Sequence, residues 1–153
     1  MKTAAVKILE RLKLPYELRA YEEEALSADE AAHKLGLPLD RVFKTLVVRG
    51  DRGGVVLACL PGSGTLSLKK LAAASGNKRC ELVEVEEIHR LTGYLRGGVS
   101  PLGARKGYPL FLDASAQRHE TIGVSAGMRG LELLLAADAL VTAGRATLTD
   151  LAE

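Results

Sequence analysis

Two runs of apolar, largely β-branched residues, Phe43 to Arg49 and Val55 to Leu60, stand on either side of Gly50-Asp51-Arg52-Gly53-Gly54. Glycine and aspartate tolerate the backbone angles that reverse a chain, so this segment reads as an antiparallel hairpin. The hairpin commits the fold to a sheet, and helical signals flank it. Thr3 caps a helix through about Lys13, with Val6, Leu9 and Leu12 on one side and Pro15 as its stop. Tyr16 to Ala20 alternates as a short strand. Ser27 and Glu30 have capping-box spacing, which predicts a helix from about Ala28 to Leu35 ending at Gly36. Ser67 opens another through about Ala74, closed by Gly76, and Val85 to Leu91 forms a further short one. Leu110 to Asp113 and Thr121 to Val124 are strand candidates, Ala136 to Ala143 is helical, and the chain returns as a short final strand.

A hydrophobic fraction of 47% over 153 residues is enough to fill one core, so residues 1–153 are expected to form one domain. The net charge of +2 argues against a polybasic nucleic-acid coat, and an anionic partner must be met by a local patch. Neither apolar run, Val55 to Leu60 or Leu133 to Ala137, approaches the ~18 residues that span a bilayer. No secretory pattern opens the chain, so the expectation is a cytoplasmic protein that binds no membrane. Cys59 lies in an apolar run and Cys80 beside Lys78 and Arg79, without zinc-site spacing. Both read as reduced thiols, and no metal is expected. Aromatic residues make up only 4% of the chain, too few for a sheet that stacks successive bases.

Glycine is the most unevenly distributed residue. Eight of the 16 glycines lie between Gly93 and Gly130, and none precedes Gly36. The stretch Gly93 to Gly107 carries Arg96, Arg105 and Lys106 with no acidic residue, and Gly123 to Gly130 adds Arg129. Two such loops can line a cleft with peptide N–H groups aimed at a ligand oxygen, or they can be solvated surface loops. Lys44 falls on the strand face of Leu46 and Val48, an unusual position for a cation. It either snorkels from a strand end or acts on a polar oxygen in a partly dry cleft.

Other motifs carry less. No phosphate-binding or dinucleotide fingerprint occurs, and His33, His89 and His119 lack metalloprotease spacing. Gly123-Val124-Ser125-Ala126-Gly127 matches a nucleophile elbow, yet no histidine follows Ser125 as that hydrolase fold requires.

Phe43-Lys44-Thr45-Leu46, Thr92-Gly93-Tyr94-Leu95 leading into Gly97-Gly98-Val99-Ser100-Pro101-Leu102-Gly103, and Ser125-Ala126-Gly127-Met128-Arg129-Gly130 resemble the YbaK/prolyl-tRNA synthetase-associated editing domains. Order and spacing agree along nearly the whole chain. The proline-containing glycine loop is most similar to the free-standing YbaK branch, the Cys-tRNA(Pro) deacylases. The fold so implied is α+β: a curved, mixed, mostly antiparallel and partly barrel-like sheet flanked by helices.

The activity so implied is removal of a wrong amino acid from tRNA(Pro), by hydrolysis or by cyclisation, with no cofactor. In this resemblance Lys44 meets the aminoacyl ester and the loop of Gly97 and Gly98 offers backbone donors. Tyr21, Thr45, Ser100, Pro101, Ser125 and Glu132 fall to the substrate pocket, Glu132 standing where relatives often carry Asp. Arg96, Arg105, Lys106 and Arg129 would meet acceptor-end phosphates. Met128 stands where a lysine is common, and Ser27 where a relative has an aromatic pocket residue. The partners implied are the acceptor end of mischarged tRNA(Pro) and a prolyl-tRNA synthetase; the oligomeric state stays open. An alanine-specific deacylase of the same fold, a non-catalytic aminoacyl-tRNA or synthetase binding module, and a small-ester hydrolase using Ser125 remain as alternatives.

Overall fold

Helix α1 (Ala4–Arg11) begins where the Thr3 hydroxyl accepts the Val6 N–H at 3.2 Å, and it buries Ala5, Val6 and Leu9. The computed structural model describes residues 2–22 and 27–153. Strand β1 (Glu17–Ala20) follows, then α2 (Ala28–Leu35), whose N-cap Ser27 accepts from Glu30 N and whose C-cap Gly36 is left-handed at φ +70°. The expected hairpin is present as β2 (Phe43–Gly50) and β3 (Gly54–Pro61), with Phe43 opposite Pro61 and Gly50 opposite Gly54. Its turn is held from outside by Asn77, whose Oδ1 accepts from Arg52 N at 2.9 Å and Gly53 N at 3.0 Å.

The remaining elements are α3 (Leu68–Ser75), β4 (Cys80–Leu82), a 3₁₀ turn at Val85–Glu87 leading into α4 (Ile88–Thr92), and β5 (Leu110–Asp113). A second 3₁₀ turn, Ala114–Arg118, precedes β6 (Ile122–Met128), β7 (Leu131–Leu135), α5 (Ala137–Gly144) and β8 (Thr147–Thr149). The strands form two sheets, one ordered β1-β7-β6 and the other β4-β2-β3-β5-β8. The first is antiparallel throughout. In the second, β3-β5 and β5-β8 are parallel and the other pairs antiparallel. The fold is therefore α+β with a mixed, mostly antiparallel strand content, as expected.

The barrel-like closure is not found. Among the described residues the main chains of the two sheets pair at one isolated bridge, Val42 with Gly123, beside which Gly123 N donates to Arg41 O at 3.0 Å. A single bridge cannot close a barrel, whose strands must all be paired. The larger core lies between the sheets and under α1 and α5, with Leu9, Leu112, Ile122, Leu133 and Leu140 all at 0% exposure. A second cluster, including Val48, Leu60, Leu71 and Leu151, fills the opposite face of the five-stranded sheet beneath α3.

Candidate active site

One consequence of this topology places the site. β4 pairs with β2 only from Val48 to Gly50, so on that side the first half of β2 has no strand partner among the described residues. Along this open edge runs a cavity of about 400 Å³ between the two sheets. An apolar wall of Leu82, Val83, Val85 and Ile88 borders it on one side, and Ser27, Ala28 and Ala31 of α2 border it on another. Both faces of β2 reach the cavity across its edge, which is how Lys44 and Thr45, pointing to opposite faces, line the same space.

The Lys44 ammonium does not stand in bulk solvent. It donates to Gly64 O at 2.6 Å and Gly62 O at 3.4 Å, in the turn after β3. Those carbonyls fix the ammonium while a further N–H stays available to a ligand, since a lysine carries more donors than this turn consumes. Burial pulls its pKa below the ordinary lysine value. Glu132, across from Ser125 in the β6-β7 register, is 3% exposed and lines the same cavity. Burial pushes its carboxyl up to about 8. Tyr21 is raised by burial and then by the nearby Glu132 charge, and its N–H is tied to Gly130 O at 2.9 Å. Thr45 Oγ1 is buried with no hydrogen-bond partner.

Of the residues singled out in the sequence, the structure gathers Tyr21, Lys44, Thr45, Arg96, Gly97, Ser125 and Glu132 around this cavity. The glycine loop contributes less than expected. Gly97 sits at φ +86° in a turn closed by Gly98 N donating to Leu95 O at 2.8 Å. The Gly98 N–H is thus consumed, and a Cβ there would lie 3.1 Å from Arg129 N, so Gly98 serves close packing against the β6-β7 turn. Gly97 N makes no hydrogen bond to a described residue. Ser100 is 0% exposed, with its hydroxyl accepting from Leu102 N, and Pro101 lines a separate cavity behind the loop. Neither lines the cavity that holds Lys44. Their segment braces the fold, because Tyr94 donates its hydroxyl to Leu102 O.

The basic residues divide as well. Arg96 lines the mouth, and Arg129 joins it by donating Nε to Arg96 O at 2.8 Å. Arg105 turns toward Arg90 O at 3.4 Å, and Lys106 lines the second cavity. Ser125 is no elbow nucleophile: it lies within β6, not at a strand-to-helix turn, and its Oγ accepts from Gly127 N at 3.1 Å. The Cys59 thiol is fully buried and pushed up to about 12, which leaves it inert. Among the described residues no group of three or more His, Cys, Asp or Glu converges to hold a metal. The apolar wall, which sequence reading did not anticipate, runs from the end of β4, a strand too short and too mixed in composition to signal itself, into the 3₁₀ turn and the start of α4.

Comparison with known proteins agrees with this architecture. A family model described as the aminoacyl-tRNA editing domain matches residues 22–143. A candidate Cys-tRNA(Pro)/Cys-tRNA(Cys) deacylase of Enterococcus faecalis is 44% identical over 143 residues, covering 92% of this chain and 87% of that protein. The proline–tRNA ligase of Thermosipho africanus is 33% identical over 88 residues, 58% of this chain but 16% of the ligase. Among solved structures, the hypothetical protein APE2540 superposes with a TM-score of 0.91 at 25% identity, covering 99% of this chain and 100% of that one. A candidate trans-editing enzyme for prolyl-tRNA synthetase shares the fold at a TM-score of 0.85 and 24% identity, covering 100% and 99% of the two chains. The chain that folds around this candidate cleft, along the open edge of β2, therefore belongs to the aminoacyl-tRNA editing domain family.

Proposed function

We propose that the chain, acting as one unit over residues 1–153, is a trans-editing deacylase that clears mischarged tRNA(Pro), with Cys-tRNA(Pro) as its principal substrate. The observation that carries this reading is the meeting, on one cavity, of Lys44 and Gly97, whose N–H bonds no described residue. An aminoacyl ester is already activated, so the protein has only to orient an attacker and stabilise negative charge on the carbonyl oxygen. The Lys44 ammonium and the Gly97 amide are the donors for that oxyanion. For a cysteinyl ester the substrate's own sulfur attacks the ester carbon. The carbon–oxygen bond to the terminal ribose breaks, the thiol proton ends on the ribose hydroxyl, and a thiolactone and free tRNA leave. Water takes the place of the thiol for alanine or serine.

The relative from Enterococcus faecalis supports cysteine as the amino acid, and the matching stretch within a proline–tRNA ligase supports tRNA(Pro) as the carrier. Arg96 and Arg129 at the mouth meet the acceptor-end phosphates. The test is to offer the purified protein Cys-tRNA(Pro), Ala-tRNA(Pro) and Pro-tRNA(Pro) and to compare deacylation rates. Cleavage of the cysteinyl ester well above that of the prolyl ester is expected. Equal rates for all of them, at or above the spontaneous background, contradict an editing role.

A further inference from the structure

Glu132 presents a buried carboxyl with no partner among the described residues. Its carboxyl is 3% exposed and lines the cavity, yet no described residue supplies it a hydrogen-bond donor or a cation. The ionisable neighbours that sense it are the Tyr21 hydroxyl and the Cys59 thiol, neither of them a cation. A buried carboxyl without a partner is costly, and such groups are kept where something else completes them. Lys44 is the cavity's inner cation, and it too forms no ion pair, being held by the Gly62 and Gly64 carbonyls. An unpartnered carboxyl and an unpaired cation share one cavity of about 400 Å³ without pairing with each other. The ligand that satisfies both carries a compact cation next to a polarised carbonyl.

We propose that Glu132 reads the free α-ammonium group of the aminoacyl ester, so that the site takes aminoacyl-tRNA and rejects esters whose α-nitrogen is acylated, such as peptidyl or N-formyl forms. The proposal rests on the deacylase reading above and adds the chemical class of substrate. When the ammonium enters, it supplies the counter-charge that lets the carboxyl ionise, and the carboxyl proton leaves to solvent. An acylated nitrogen has no charge to offer and adds bulk where the carboxyl is enclosed. A site built around such a contact discriminates strongly against ligands that lack it, because its own buried group is then left unpaired.

The test compares Cys-tRNA(Pro) with N-acetyl-Cys-tRNA(Pro) for cleavage, and two stable analogues for binding: a 3′-amide-linked cysteinyl adenosine with a free amine and its N-acetyl form. The wild-type protein is expected to favour the free-amine member of each pair by about tenfold or more, the range of a charge-assisted contact. Glu132→Gln is expected to erase that preference and Glu132→Asp to keep it. Equal treatment of free and acetylated forms by the wild-type protein overturns the proposal, whether or not the variants fold. If neither ester is cleaved but the free-amine analogue still binds preferentially, recognition of the ammonium stands and the deacylase reading falls. If neither analogue binds, both fall.

Discussion

Lys44 can be removed without emptying the core, because its stem lies at a strand edge and its head on a turn. Lys44→Ala is expected to slow deacylation by about a hundredfold or more, the usual cost of losing a preorganised oxyanion donor. Single-turnover rates check this, and a loss under threefold contradicts the assigned role. Glu132 makes a different prediction. Its usual value is 4.5, and burial holds it near about 8 in the folded chain. Between those values the native state keeps a proton that the unfolded chain has released. Unfolding free energy therefore falls as pH rises across this window, by at most ~1.4 kcal/mol per pH unit from this group. Thermal melts from pH 5 to 8 should show that slope in the wild type and lose it in Glu132→Gln. Lys44 was legible as an unusual residue because a cation on an apolar strand face breaks the pattern. Glu132 was placed in the pocket only by the family resemblance; its isolation comes from the packing of Tyr21, β6 and β7 around it, which no local spacing encodes.

Helix α2 shows how local signals and site geometry combine. Its boundaries follow from the Ser27 and Gly36 caps, and the same Ser27, with Ala28 and Ala31, forms one wall of the cavity. Ser27→Ala is expected to cost about 1 kcal/mol of stability, read as a small drop in melting temperature. The turn of Leu95 to Gly98 is less tolerant. Gly98→Ala brings a Cβ to 3.1 Å from backbone atoms of Met128 and Arg129, which must move. That change is expected to lower stability and deacylation together, whereas activity unaltered by it would show that the two loops are not packed as described. Helices and the β2-β3 hairpin were legible because caps and turn residues are local. β7 was seen only as an apolar run, and β4 not at all, because each is defined by the strand it pairs with.

For the whole molecule, a net charge of +2 and scarce aromatics imply weak, salt-sensitive tRNA binding concentrated at the cleft mouth. Arg96→Ala and Arg129→Ala should each reduce the slope of log affinity against log salt by about one or slightly less. Arg105→Ala and Lys106→Ala should change it little, since these side chains face away from the cavity that holds Lys44. The sequence and its family resemblance carried the α+β class and named several of the residues that line the cleft. They did not carry the division into two sheets joined at Val42 and Gly123, which creates the cleft.

The central claim is that this cleft cleaves an ester with fixed donors and no protein nucleophile. Single-turnover deacylation of Cys-tRNA(Pro) by Lys44→Ala and Ser125→Ala, measured side by side with the wild type, tests it most directly. The account predicts a severe loss for Lys44→Ala, a mild one for Ser125→Ala, and thiolactone as the first product. Abolished turnover in Ser125→Ala with near-normal rates in Lys44→Ala would contradict it.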